Sequence, residues 1–166
     1  MSHDKVYLVG FMAAGKTTLG AALAARLGWR LLDLDQLIEQ RERQSVASLF
    51  ASRGEPYFRA VEHDVLCACV PARFAIVATG GGTFVPAENR AIINSDGLSI
   101  WLDLPLTDLI ERLPTDGRRP LANDRQQLGM LYEARRLAYQ QAHVRLDCAA
   151  RPVPALVEQV LDHLGL

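Results

Sequence analysis

The octapeptide Gly10-Phe-Met-Ala-Ala-Gly15-Lys16-Thr17 constrains this chain more than any other stretch. It fits G-x-x-x-x-G-K-[ST], a pattern that ordinary residue frequencies produce by chance in well under about one in a hundred chains of this length. Its surroundings fit as well. Lys5 to Val9 is a short apolar run of strand character, and Lys16 to Leu27 has helical periodicity, so the pattern lies in a strand-to-helix turn. Gly10 and Gly15 let the backbone curl until successive N–H groups point at one spot, and the following helix adds the partial positive charge of its N-terminus. Such a loop cradles nucleotide phosphates. Lys16 is expected to reach the β- and γ-phosphates and the Thr17 hydroxyl to bind Mg²⁺. A plain Gly-rich turn with an exposed lysine is the weaker reading, because pattern and context agree.

The rest of the chain repeats the alternation of strand and helix. Buried strands are expected at Arg30 to Asp35 and Phe74 to Ala78, and further strands at Leu98 to Leu102 and Val144 to Cys148. Between them the periodicity predicts helices over 36–43, 46–53 (capped by Ser45 and ended by Gly54), Pro56 onward to the stop at Pro71, 86–94, 105–113, 125–143 and 154–164. Strands separated by helices throughout mean βαβ units: a three-layer α/β fold, with helices on both faces of a five-stranded parallel sheet. The stretch 114–124 contains Asp116-Gly117 and Pro120 with no apolar period, so it reads as a mobile surface segment. No repeat or linker divides the chain, and one domain over residues 1–166 is expected.

Charge narrows the partners. Eighteen Lys plus Arg against nineteen Asp plus Glu leave a net charge of -1, which argues against nucleic acid as a partner while permitting small anions. No apolar run suits a membrane span, and Met-Ser-His-Asp lacks the basic and apolar regions of a signal peptide. A cytoplasmic protein is expected. Cys67, Cys69 and Cys148 are odd in number, and Cys67-x-Cys69 lies in an apolar helical stretch, so all three are expected to be small buried hydrophobes.

A phosphate loop alone does not separate kinases from other nucleotide enzymes; the second ligand decides. Asp33 and Asp35 close the second strand, at the edge where open parallel sheets bind ligands. Alternation along a strand puts both on one side, where one can hold Mg²⁺ through water and the other can orient an attacking hydroxyl. Helix capping is the equally weighted alternative for these acids. Arg59 and Glu62 are three apart on one helical face, a spacing that lets them pair and fix the guanidinium for a planar carboxylate. Gly80-Gly81-Gly82 surrenders more side-chain packing than a cap needs and lets a ligand approach the backbone. Arg135 and Tyr139 are four apart on a helix, a spacing equally compatible with a solvated face.

Taken together, Gly10-Phe-Met-x-x-Gly-Lys-Thr17, Asp33-x-Asp35, Gly54-Glu55 with Phe58-Arg59-x-x-Glu62, Ala78-Thr-Gly-Gly-Gly82, Trp101-Leu102, Arg119-Pro-Leu121 and Arg135-x-x-x-Tyr139 resemble the shikimate kinase family in order and spacing. The resemblance runs over almost the whole chain. It implies a P-loop kinase that transfers the γ-phosphate of ATP to the 3-hydroxyl of shikimate, on the way to chorismate and the aromatic amino acids. It further implies that Asp35 binds the substrate hydroxyls and orients or deprotonates the attacking one. Arg59 and Arg135 would hold the carboxylate, and Gly80, Gly81 and Gly82 would contact the ring, with Phe50 and Phe58 nearby. Ala13, Ala14, Gly15, Lys16, Thr17 and Thr18 would contact the nucleotide, with Arg112 stacked on adenine. Arg119, in a lid over 114–124, would join Lys16 and Asp35 as a catalytic group, and Thr17 with Asp33 would form the Mg²⁺ site. A monomer is expected.

The chain departs from the family pattern in three places. Ala13 stands where many relatives have glycine. Arg135-Arg-Leu-Ala-Tyr139 replaces the more usual Arg-x-Pro-Leu-Tyr, so Arg135 and Arg136 both stand as candidates for the carboxylate, the spacing to Tyr139 favouring Arg135. Arg151-Pro-Val-Pro154 matches the adenine-bordering segment only loosely. A gluconate kinase and a nucleotide-binding module without catalysis are the rival readings. The paired arginines and the glycine run speak against the first, and retention of Lys16, Asp35 and Arg119 against the second. No Asn-Lys-x-Asp guanine motif supports a GTPase.

Overall fold

Side-chain alternation in the first strand settles which helices cover which face of the sheet. The computed structural model describes residues 3–113 and 125–166; the expected lid over 114–124, with Arg119, lies outside them. Strand β1 (Lys5–Val9) pairs in parallel with β3 (Ala75–Ala78) on one side and β4 (Leu98–Asp103) on the other. Strands β2 (Arg30–Asp33) and β5 (Val144–Asp147) complete the order β2-β3-β1-β4-β5, all parallel. Leu8, with Ile76 and Leu31, faces Gly20 of α1 (Lys16–Leu27). The next residue back, Tyr7, points the other way, to Asp96 at the end of α4 (Ala87–Asp96). The sheet is therefore covered on both faces, and β1, β3 and β4 are buried along their whole length, as parallel strands in such folds must be.

Helix ends follow from local chemistry. Asp33 accepts from the Gln36 N–H and starts α2 (Leu34–Glu42), and Ser45 accepts from Ser48 N to start α3 (Val46–Cys69). The two helices expected around Gly54 form one element bent there: Gly54 sits at φ 81, and Pro56 follows in the first turn of the second segment. The remaining helices are α5 (Leu106–Arg112), α6 (Arg125–Tyr139) and α7 (Val153–Leu164). Leu156, Val157, Val160, Leu161 and Leu164 make a buried stripe along α7 at helical spacing, and α7 packs against α1.

Three expectations need correction. The second strand ends at Asp33 instead of Asp35, because Asp33 caps a helix that begins at the next residue. It is also not buried: β2 is an edge strand, with Arg30 exposed and Leu31 to Asp33 half-buried. Cys67 is exposed; only Cys69 and Cys148 are buried. Position 67 falls on the outer side of α3, where an apolar-looking run gave no warning of solvent contact. Among the described residues no helix is long and apolar enough to cross a membrane.

Candidate active site

All four loops that leave the carboxyl ends of β1 to β4 lie at one edge of the sheet, where the strand order reverses around β1. The loop after β1 curls as its sequence requires: Gly10 has φ 150, Ala13 φ 64 and Gly15 φ 94. Ala13 thus takes a left-handed conformation that costs an alanine roughly 1–2 kcal/mol, a strain held by its surroundings. Lys16, 8% exposed, donates to the carbonyls of Gly10 and Phe11, each at 2.8 Å, which folds its side chain back over the loop. Thr17 Oγ1 donates to Asp33 Oδ2 at 2.6 Å, while Asp33 Oδ1 keeps its capping bond to Gln36 N.

A cleft of about 910 Å³ opens above this loop. Its lining takes in Ala13 to Thr18, Asp33, Asp35, Phe50, Phe58, Arg59, Gly80 to Gly82, Arg112 and Arg135, which are the predicted site residues on the described part of the chain. Asp33 and Asp35 both reach it, though not through strand alternation: Asp33 is the helix cap and Asp35 the second residue of α2. Arg136 is not in the lining and lies 5.8 Å from the Trp101 ring centre, so of the two neighbouring arginines it is Arg135 that faces the cleft.

The glycine run shows why it must be glycine. A Cβ on Gly82 would sit 2.6 Å from the Arg59 guanidinium nitrogens, and one on Gly81 would sit 3.1 Å from Arg135 Nη1 and 3.3 Å from Met12 N. At Gly80 it would meet Glu62 Oε2 at 2.9 Å and Asp35 Oδ1 at 3.2 Å. The turn is thus closely packed against both arginines and both acids. Arg59 donates to Glu62 Oε1 at 2.8 Å, and buried Glu62 also accepts from Thr83 Oγ1 at 2.9 Å, so the predicted pair is braced by a third residue. Phe50 and Phe58 stack with ring centres 4.6 Å apart at the edge of the cleft. Arg135 is only 6% exposed; burial lowers its pKa, with Tyr139 opposing and the nearby charge of Arg59 adding to the effect, yet a guanidinium stays charged. Burial raises the Tyr139 phenol in turn.

Several lining residues escaped the sequence reading. Gln36, Glu39 and Val46 also line the cleft; Glu39, four residues after Asp35 on one helical face and capping Val46 N, carried a usable signal in that spacing. Arg151 joins Arg112, Ala14, Gly15 and Thr18 around a smaller adjoining cavity of about 250 Å³.

The side-chain oxygens of Thr17 and Asp33 lie together, the donor type that a hard cation such as Mg²⁺ prefers. Among the described residues no group of three or more His, Cys, Asp or Glu side chains is placed to hold a metal unaided.

A phosphate cradle needs no second cationic centre if the nucleotide is only sensed. Here two arginines from different helices face the same cleft as the cradle, beside a carboxylate, which gives one cleft room for two anions. That division of labour defines a P-loop kinase of small metabolites. Comparison with known proteins narrows the class. The family model for shikimate kinase matches residues 12–165. A shikimate kinase from Persephonella marina is 36% identical over 160 residues, covering 96% of this chain and 98% of that one. One from Synechococcus elongatus is 41% identical, covering 93% and 82%. The solved shikimate kinase from Acinetobacter baumannii in complex with shikimate superposes with a TM-score of 0.93 at 32% identity, covering 98% of this chain and 93% of that one. The chain belongs to the shikimate kinase family.

Proposed function

We propose that this enzyme transfers the γ-phosphoryl group of ATP to the 3-hydroxyl of shikimate, releasing ADP and shikimate 3-phosphate. The observation that carries this reading is the approach of Arg59 and Arg135 to adjacent glycines, Gly82 and Gly81, within the same cleft as Asp35 and the phosphate loop. Two guanidiniums held there suit one carboxylate, and the ring that bears it then lies over backbone.

Ala13 to Thr18 bind the phosphates through backbone N–H groups and Lys16, with Arg112 at the nucleoside end. Thr17 and Asp33 would hold Mg²⁺, the latter through water, and the ion would supply charge neutralisation at the phosphates. Asp35 accepts a hydrogen bond from the attacking hydroxyl and takes its proton as the oxygen bonds to the γ-phosphorus and the bond to the bridging β,γ-oxygen breaks. The transition state is loose, so positioning and charge stabilisation do most of the work, and Asp35 need not be a strong base. Following the family resemblance, Arg119 in the 114–124 lid neutralises charge on the transferring group. The chain acts as one domain over residues 1–166, as a cytoplasmic monomer.

The test is ADP release with shikimate, with gluconate and with no acceptor. Turnover confined to shikimate is expected. Equal turnover with gluconate, or release that ignores the acceptor, would replace this reading.

A further inference from the structure

The carbonyls of the glycine turn have different donors. Gly80 O accepts from Thr83 N at 3.3 Å and Gly82 O from Val85 N at 3.2 Å, both within the turn itself. Gly81 O accepts from the hydroxyl of Tyr139, which reaches it from α6, 58 residues away in sequence. Tyr139 is 2% exposed, and its ring lies against Trp101 of β4 with centres 6.1 Å apart, so the phenol has little freedom to swing. Arg135 lies one turn earlier on the same face of α6 and is itself packed against Gly81.

A peptide unit is planar and trans, so fixing the direction of the Gly81 carbonyl also fixes the Gly82 N–H on its opposite edge. Three successive glycines have no side chains to restrain that unit, and their backbones have wide freedom to rotate. We propose that Tyr139 is a positioning residue for the acceptor: its hydroxyl locks the Gly81–Gly82 peptide so that the turn presents one fixed surface between Arg59 and Arg135. The same contact keeps α6, and with it Arg135, at a set height above the turn. This inference rests on the reading of the cleft as a shikimate site.

Replacing Tyr139 by Phe removes the hydroxyl and keeps the ring on Trp101. Steady-state kinetics on the full chain should show KM for shikimate rising about three- to tenfold, the worth of one hydrogen bond. KM for ATP and kcat should stay within about threefold of the parent values. An unchanged KM for shikimate, or an equal rise for ATP, overturns the proposal. A double-mutant cycle with Arg135→Lys adds a readout that a merely structural tyrosine would not move: the two effects on KM for shikimate should be non-additive, and additivity counts against the coupling. Thermal melts accompany the kinetics. A Tyr139→Phe chain that cannot fold even at 4 °C shows the tyrosine to be structural and overturns the positioning role. Failure of the parent enzyme to phosphorylate shikimate sinks the functional reading itself; an active parent with an unaltered Tyr139→Phe variant sinks only this inference.

Discussion

At the scale of single residues, Asp35 is the group through which the proposed chemistry can be isolated. It lines the cleft from the first turn of α2, with its Oδ1 close to Gly80. Asp35→Asn keeps the shape and loses the proton acceptor, so kcat should fall by about 10²- to 10⁴-fold. ATP binding, followed by titration, should stay within a few-fold of the parent; an equal loss of both would place Asp35 in the nucleotide site instead. Gly82 probes the other side. The nearest atoms its Cβ would meet are those of the Arg59 guanidinium, and no left-handed backbone is at stake there, so Gly82→Ala should still fold, losing about 1–3 kcal/mol as the Arg59–Glu62 pair shifts. The displaced guanidinium should raise KM for shikimate by roughly tenfold or more while KM for ATP holds. Arg59 and Glu62 were legible as a pair from their spacing. That Thr83 braces Glu62 and that Arg135 is buried were not, because both depend on which side of a helix the rest of the chain covers.

At the scale of elements, the fold rests on a charged knot far from the phosphate loop, where β1 begins and α4 ends. Lys5, fully buried, donates to Cys69 O, Val70 O and Asp96 Oδ2, the last at 2.6 Å, and Tyr7 and Arg73 donate to the same carboxylate. Burial pushes the Asp96 pKa up, but the bonds from Lys5, Tyr7 and Arg73 outweigh it and hold the group below its ordinary value. A carboxyl whose folded pKa is lowered adds stability that is present above its unfolded pKa, about 3.9, and is lost as pH falls through the folded pKa. Asp96→Asn should therefore cost about 1–3 kcal/mol in urea melts between pH 5 and 7, because buried Lys5 keeps its two carbonyl acceptors but loses its counter-charge. The gap between parent and variant should narrow progressively as pH falls from about 4 toward the lowered folded pKa of Asp96. A gap that does not narrow at all below about pH 4 would show that shape, not charge, matters at this position. The start of α3 was legible from its Ser45 cap, and Gly54 with Pro56 marked the place where that helix bends. The second strand was overrun by two residues because Asp33-Leu-Asp35 suits a strand end and a helix start equally, and the capping bond to Gln36 N decides between them.

At the scale of the whole molecule, a net charge of -1 conceals an uneven distribution. Lys16, Arg59, Arg112 and Arg135 line one cleft, as a site for two small anions requires. Ligands that bind there should stabilise the fold by mass action: ATP with Mg²⁺ at about 100 times its Kd adds about 2.7 kcal/mol, a rise in Tm of roughly 5–10 °C for a chain of this size. Shikimate should add a further rise and gluconate none, read by differential scanning fluorimetry. A shift with gluconate equal to that with shikimate would show that the arginines do not select the acceptor.

The chain's own order of residues determined the phosphate loop, the alternation of strand and helix, the parallel sheet and the family, since each rests on local spacing or on motifs that keep their order. Only the tertiary structure decided that Arg135 faces the cleft while Arg136 turns to Trp101, that Cys67 meets solvent, and that Tyr139 reaches Gly81 across 58 residues. Spacing along a helix sets which side chains share a face. Which face is buried, and what it meets, depends on how the other elements pack against it.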